Sequence, residues 1–273
     1  MSESIALEDL ELDISHLTTE DDLPVDNLPS EKQQRLLTEP LYSSGFKSKD
    51  TDVFLAAANV GIFYSTHQPP LVPDVFLSLG VQVAENWWDK KNRSYFTWEF
   101  GKPPDVVIEI VSNRKGEELG SKLRDYAQIG VKYYIVFDPS GQLSRIPLQV
   151  YQLQGMLYVV METTWLEQVG LGVTLWEGSF EGKHDLWLRW CDRDGQAILT
   201  GSEKARRENQ RAEQEYQRAE QEYRRAEQEH QRAEQERQRA EQESQRAEQE
   251  RLRAERFAAR LQALGLDPDR LDD

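Results

Sequence analysis

Among 273 residues there is one cysteine, Cys191. That excludes an intramolecular disulfide and any cysteine-rich zinc site, and it fits a reducing compartment. Histidine is almost as scarce. His16, His67, His184 and His230 are scattered without metal-ligand spacing, and His184 with Cys191 is too weak a pairing for a thiol nucleophile. There is no glycine-rich phosphate loop, no GxSxG elbow and no HExxH pair. No apolar run approaches the ~20 residues that span a bilayer. The start, "MSESIALEDLELDISHLTTEDD", lacks the basic residues and apolar run of a signal peptide. The expectation is a soluble, cytoplasmic chain with no membrane partner.

Positive charge is also short overall, with a formal net charge of −16. Phosphate binding rests on Lys and Arg, so this balance weighs against nucleic acid. Its distribution weakens the objection. Residues 1–22 hold 8 acids and no Lys or Arg. Residues 203–260 hold 15 Glu against 15 Lys plus Arg, and the last 13 residues add −3, leaving −5 for residues 23–202. A deficit that small can coexist with a basic cleft. The composition shifts divide the chain into an acidic, unstructured leader (1–29), a globular domain (30–200), a long charged helix (201–264) and an acidic tail (265–273).

Within the globular part, "SEKQQRLLTEPLYSSG" reads as a helix capped by Ser30, with Leu36, Leu37 and Leu41 at helical spacing and Pro40 limiting or kinking it. "DVFLAAANVGIFYS" and "VPDVFLSLG" read as strands, broken or ended at Gly61 and Gly80. A long aromatic connection follows, in which Trp87 and Trp88 suit either a local core or stacking on bases. "DVVIEIVS", a helix over "GEELGSKLRDYAQIG" and "VKYYIVFDP" then complete a βαβ unit with parallel strands within about 35 residues. That helix carries Leu119, Leu123, Tyr126 and Ala127 on one face and stops at Gly130. Beyond it come hairpins, with turns at Gly155 and at Asp194-Gly195. The C-terminal helix repeats "QRAEQEY" every seven residues. A seam of Ala with Tyr, His, Arg and Ser is a poor coiled-coil core. It reads as a solvated helix stiffened by Glu–Arg pairs of ~0.2–0.5 kcal/mol each, or as a site of weak self-association through its Tyr end.

One residue breaks the pattern. Side chains alternate along a strand, so Asp105, Val107, Glu109 and Val111 share a face. Glu109 therefore points into a layer built for burial. A lone buried carboxylate costs several kcal/mol or is neutralised by a raised pKa. It needs a cation, a metal or an open cleft. Asp74 opens the preceding strand, and pairing of the two strands would bring both acids to one end of the sheet. Two such carboxylates suit a hard divalent ion such as Mg²⁺.

The stretch "VPDVFLSLG … PPDVVIEIVSN … LGSKLRDYAQIGVKYYIVFDP" resembles the bacterial family described as putative restriction endonucleases, within the PD-(D/E)xK nuclease superfamily. The resemblance covers about residues 23–199. It implies an α/β, restriction-endonuclease-like core of helix, mixed sheet and crossover helix. An antiparallel β extension and the long charged helix follow that core. It also implies a metal-dependent endonuclease acting on DNA, with Mg²⁺ or Mn²⁺ as cofactor and 5′-phosphate and 3′-hydroxyl products. Asp74 matches the PD acid and Glu109 the second acid, both as metal ligands, with the Ile110 carbonyl beside them. The motif lysine should fall at Val111. Lys122 on the following helix is the implied replacement. Glu31 or Glu39 would supply a helical acid.

Other readings stay open. Asp74 suits a turn residue at a strand start. Glu109 with Lys122 suits a structural ion pair. Val111 and the acidic balance suit a non-catalytic interaction protein that keeps a degenerate nuclease fold and recruits partners, including copies of itself, through the helix.

Overall fold

The computed structural model describes residues 27–112 and 117–263. The expected leader, apart from residues 27–29, and the expected tail lie outside them. The chain divides into two compact units, residues 1–205 and 206–273.

The first unit opens with α1 (Leu28–Ser44), then β1 (Phe54–Ala58), β2 (Ile62–Phe63), β3 (Val75–Leu79), β4 (Tyr95–Phe96), the short α2 (Thr97–Phe100) and β5 (Val106–Ile110). Next come α3 (Ser121–Ile129), β6 (Tyr133–Phe137), β7 (Leu148–Gln154), β8 (Leu157–Val160), β9 (Trp165–Leu166), β10 (Leu171–Phe180), β11 (Lys183–Cys191) and the start of α4 (Gly201–Ala263). Six strands form one sheet in the order β1-β3-β5-β6-β7-β8. Its centre is the parallel pair β5–β6, and the other pairings are antiparallel. A second sheet, β11-β10-β9, is antiparallel throughout.

The β5–α3–β6 unit follows from its sequence. Both strands are buried along their whole length, as runs of Val, Ile, Tyr and Phe at the centre of a parallel sheet should be. The connecting helix stops at Gly130, whose φ of 89° lies in the left-handed region and whose N–H reaches the Ala127 carbonyl. The helix is shorter than its apolar spacing predicts. It starts at Ser121, and Leu119 lies exposed in the turn before it. Only Tyr126 and Ala127 are fully buried on it, with Leu123 packed beside them.

The strand alternation sorts the core into two layers. Val106, Ile108 and Ile110 join Leu37 and Leu41 of α1 and the second sheet's Leu188 and Trp190. Val107 and Val111 join Phe76, Tyr126 and Tyr134 on the α3 face. Gln33 pins α1 to β11 by bonding both the N–H and the carbonyl of Leu188, at 3.0 and 2.7 Å. The α1 cap is Asn27, not Ser30. The Asn27 side chain accepts the Ser30 N–H at 3.0 Å, because Pro29 in the first turn has no N–H to satisfy and lets the helix begin earlier. Pro40 does not end the helix, which continues to a left-handed Gly45.

Two hairpin expectations fare differently. Gly155 does turn β7 into β8. The Asp194-Gly195 turn closes only a single bridge, between Cys191 and Ala197. The main partner of β11 is β10, joined through Glu181 and Gly182, both with positive φ.

The root of α4 is set by "TGSE". The Glu203 N–H bonds the Thr200 hydroxyl at 3.2 Å and the Glu203 carboxylate accepts the Thr200 N–H at 2.9 Å, a reciprocal cap. The same carboxylate grips the buried Arg189 guanidinium with two bonds, 2.9 and 2.6 Å. In the second unit α4 is exposed from Arg206 to Phe257, with ion pairs such as Glu220–Arg224 at 2.7 Å. Tyr216 and Tyr223 alternate with Ala219 and Ala226 on one face. Glu215, Glu222 and Glu229 flank that face on one side, and Glu220, Glu227 and Glu234 on the other. No helix among the described residues is long and apolar enough to cross a membrane.

Removing one partner from a buried pair leaves the other charge uncompensated. Glu203→Ala should therefore lower unfolding stability by about 3 kcal/mol, read as a lower urea midpoint with an unchanged slope. An unchanged midpoint would show that Arg189 finds another acceptor.

Candidate active site

The antiparallel register pairs Val75 with Ile108, which sets Asp74 opposite Glu109 at the end of the two strands. Opposed residues share a face. The carboxylates that sequence alternation places on neighbouring strands are thus brought together. Asp74 is half-buried, and its Oδ2 accepts the Ile110 N–H at 2.6 Å. Glu109 is 1% exposed. Lys122, in the first turn of α3, reaches Glu109 Oε2 with its ammonium at 2.8 Å while staying 32% exposed. Tyr126, one turn further, donates its hydroxyl to Glu109 Oε1 at 2.9 Å. A lysine at position 111 is therefore not needed to bring an ammonium to this end of the sheet. Val111 itself packs in the α3-side core.

Burial pushes the Glu109 carboxyl up to about 8, with the neighbouring Asp74 charge adding to the rise and the Lys122 ammonium opposing it. Burial pulls Lys122 down, but the Glu109 carboxylate outweighs it and the ammonium titrates above its ordinary range. Burial and then Glu109 push the Tyr126 hydroxyl well up, so it stays a donor.

Neither proposed helical acid is at this site. Glu31 pairs with Arg35 at 2.7 Å, and Glu39 accepts the Gly201 N–H at the root of α4. What α1 sends here is an amide. Gln34, buried between α1 and the sheet, donates to Asp74 Oδ1 at 3.2 Å and exchanges bonds with the side chain of Asn59. Sequence reasoning passed over Gln34, although it lies one helical turn from both Glu31 and Leu37. It also read Tyr126 only as apolar packing. The signal available was Tyr126 falling four residues after Lys122, on the same face.

Asp105 offers a control at the other end of β5. It shares the face of Glu109 and is as buried, but it is closed off by Lys102, by Lys132 at 3.0 Å and by the Leu79 N–H at 2.7 Å. It ties the neighbouring ends of β3, β5 and β6 together. A cleft of about 360 Å³ opens beside the site, lined by Ser30, Gln33, Ile110, Ser112 and Trp187. It shares Ile110 with the site but none of its carboxylates.

The donors that could serve an ion here would all be oxygen: two carboxylates and the Ile110 carbonyl, since a strand directs a residue's carbonyl to the same side as its N–H, which here bonds Asp74. That set fits a hard ion such as Mg²⁺, which takes one or two carboxylates and keeps several waters. Among the described residues, no three His, Cys, Asp or Glu side chains gather into a metal cage.

A central β5–α3–β6 unit, flanked by antiparallel strands and carrying paired acids at one end, defines a restriction-endonuclease-like protein of the PD-(D/E)xK class. The chain belongs to the Uma2 family, described as "Putative restriction endonuclease", whose sequence model matches residues 24–175. No curated protein matches the chain.

The raised Glu109 value has a consequence for stability. The folded carboxyl keeps its proton to about pH 8, while the unfolded chain releases it near the ordinary 4.5. Between those values the folded state holds the extra proton, so stability falls as pH rises and levels off above about 8. Glu109→Gln removes this slope. Thermal unfolding in EDTA from pH 5 to pH 8.5 should show the wild-type midpoint dropping relative to that of the variant. Parallel curves would mean that Glu109 ionises normally in the fold.

Proposed function

We propose that the chain is a metal-dependent endonuclease that hydrolyses DNA phosphodiester bonds. The observation that supports this reading is the gathering of Asp74, Glu109 and Lys122 at one end of the sheet. Asp74, Glu109 and the Ile110 carbonyl would hold Mg²⁺ or Mn²⁺. When bound, such an ion lowers the pKa of its water and balances charge on the phosphoryl oxygens.

The chain's own residues do the rest. Gln34 and the Ile110 N–H fix the Asp74 carboxylate by its two oxygens. Tyr126 holds one oxygen of Glu109 and so orients the other. Lys122 supplies the ammonium that the motif places on the strand. Its partial exposure lets it face both the attacking water and a substrate phosphate. Water adds to phosphorus, the bond to the 3′ oxygen breaks, and that oxygen takes a proton. The products are a 5′-phosphate and a 3′-hydroxyl.

One observation favours a second reading. Both Glu109 oxygens already have internal partners, Lys122 and Tyr126, so the carboxylate is satisfied without an ion. A degenerate nuclease fold serving as an interaction protein would look the same at this position.

Supercoiled plasmid separates the two. Wild type with Mg²⁺ or Mn²⁺ should nick it, EDTA should stop the reaction, and Glu109→Ala and Lys122→Ala should each lose about 100-fold or more while their circular dichroism is unchanged. Residual cutting equal in wild type and Glu109→Ala would point to a contaminant. No cutting, together with no Mn²⁺ heat in calorimetry, would support the interaction reading.

A further inference from the structure

The connection from β3 to β4 carries a feature that the paired carboxylates do not use. Its aromatic residues divide into two groups. Tyr95 and Phe96 are buried and stack on Phe100 and Phe63. Trp87 and Trp88 are 58% and 74% exposed. Of the two roles their sequence allows, a local core is therefore excluded.

The loop that carries them is built, not loose. The Asp89 N–H bonds the Asn86 carbonyl at 3.0 Å, and the Asn92 side chain donates to the Asn86 carbonyl and side-chain oxygen at 3.1 and 3.0 Å. A single 3₁₀ turn, Lys90–Asn92, follows, and Arg93 Nε donates to the Trp88 carbonyl at 2.6 Å. This frame sets the two indoles edge to face at 5.8 Å with an interplanar angle of 63°, so they cover little of each other.

The charge on the loop runs against that of the chain. From Gly80 to Ser94 the connection holds three cations, Lys90, Lys91 and Arg93, and two acids, Glu85 and Asp89, the latter accepting from the Asn86 amide; Lys90 and Lys91 are half-buried, and none of the three cations is without an internal partner. The chain as a whole carries −16. Open aromatic faces next to cations are the two elements of single-strand recognition. Rings stack on unpaired bases of any identity, and cations meet the phosphates between them. A duplex interior offers no open base face to an indole.

We propose that the Trp87–Arg93 loop binds single-stranded nucleic acid, stacking unpaired bases on Trp87 and Trp88 and drawing the backbone towards Lys90, Lys91 and Arg93. The proposal goes beyond the hydrolytic reading, because it concerns binding alone and holds whether or not the carboxylates cut.

The test uses the full chain in EDTA, with a fluorescein-labelled thymidine oligonucleotide followed by anisotropy at low salt. Wild type should bind it, and Trp87→Ala with Trp88→Ala should weaken binding about tenfold or more. The double Phe variant should recover most of the loss, which a merely structural role would not give. Lys90→Gln with Lys91→Gln should flatten the log–log salt dependence by about 1.4. Glu109→Ala should bind like wild type, so failure of the plasmid assay and failure of this one are distinct. The proposal is overturned if wild type does not bind, or if the double Ala variant binds equally well. It is also overturned if the indoles matter only for phosphatidylcholine–phosphatidylserine vesicles and not for the oligonucleotide.

Discussion

A carboxylate buried in the middle strand of a sheet must be answered from somewhere, and the answer organises this fold. Glu109 has one side chain on each of its oxygens, Lys122 and Tyr126, and both come from α3. The crossover helix is therefore fixed to β5 by two hydrogen bonds as well as by packing. Its first two turns face the strand end where Asp74 also lies. Without the ammonium, desolvation would hold the Glu109 proton more tightly still, or the helix would be displaced. The site and the β5–α3–β6 unit are in this sense one interaction.

Acids at the two ends of β5 show how surroundings decide what a residue does. Asp105 and Glu109 lie four apart on the same face and are equally buried. Asp105 meets two lysines and a backbone N–H, a surplus of positive partners. Glu109 meets one lysine, one phenol and a second carboxylate, a deficit that an additional cation would relieve. Sequence alternation gave both the same orientation. Only their partners separate a brace from a candidate ligand.

The central strands and the crossover helix with its Gly130 stop could be read from the residues, because alternation and turn chemistry are local; the convergence of Asp74 and Glu109 could be read only on the condition that their strands pair, which the β3–β5 register meets. What could not be read depended on distant partners. Asn27 displaced Ser30 as the cap through the neighbouring proline. Gln34 took the place where Glu31 or Glu39 was expected, because only the docking of α1 on β11 through Gln33 and Leu188 decides which face of the helix meets the sheet. The pairing of β10 with β11 was missed because its turn, Glu181-Gly182, lacks the Asn-Gly or Asp-Gly signal. Trp87 and Trp88 looked like core by composition, and their frame of Asn86, Asp89 and Asn92 is what turns them outward.

The heptads of α4 bear on what the second unit can be. The face of alternating Tyr and Ala has Glu along both margins. Two copies laid side by side would match Glu against Glu at every turn of the repeat, in either relative direction, and like charges at those margins repel. A lengthwise pair therefore depends on the arginines that share each turn to answer those carboxylates, as Arg224 answers Glu220 at 2.7 Å. At ~1.5 Å per residue the helix Gly201–Ala263 itself runs to some ninety ångströms.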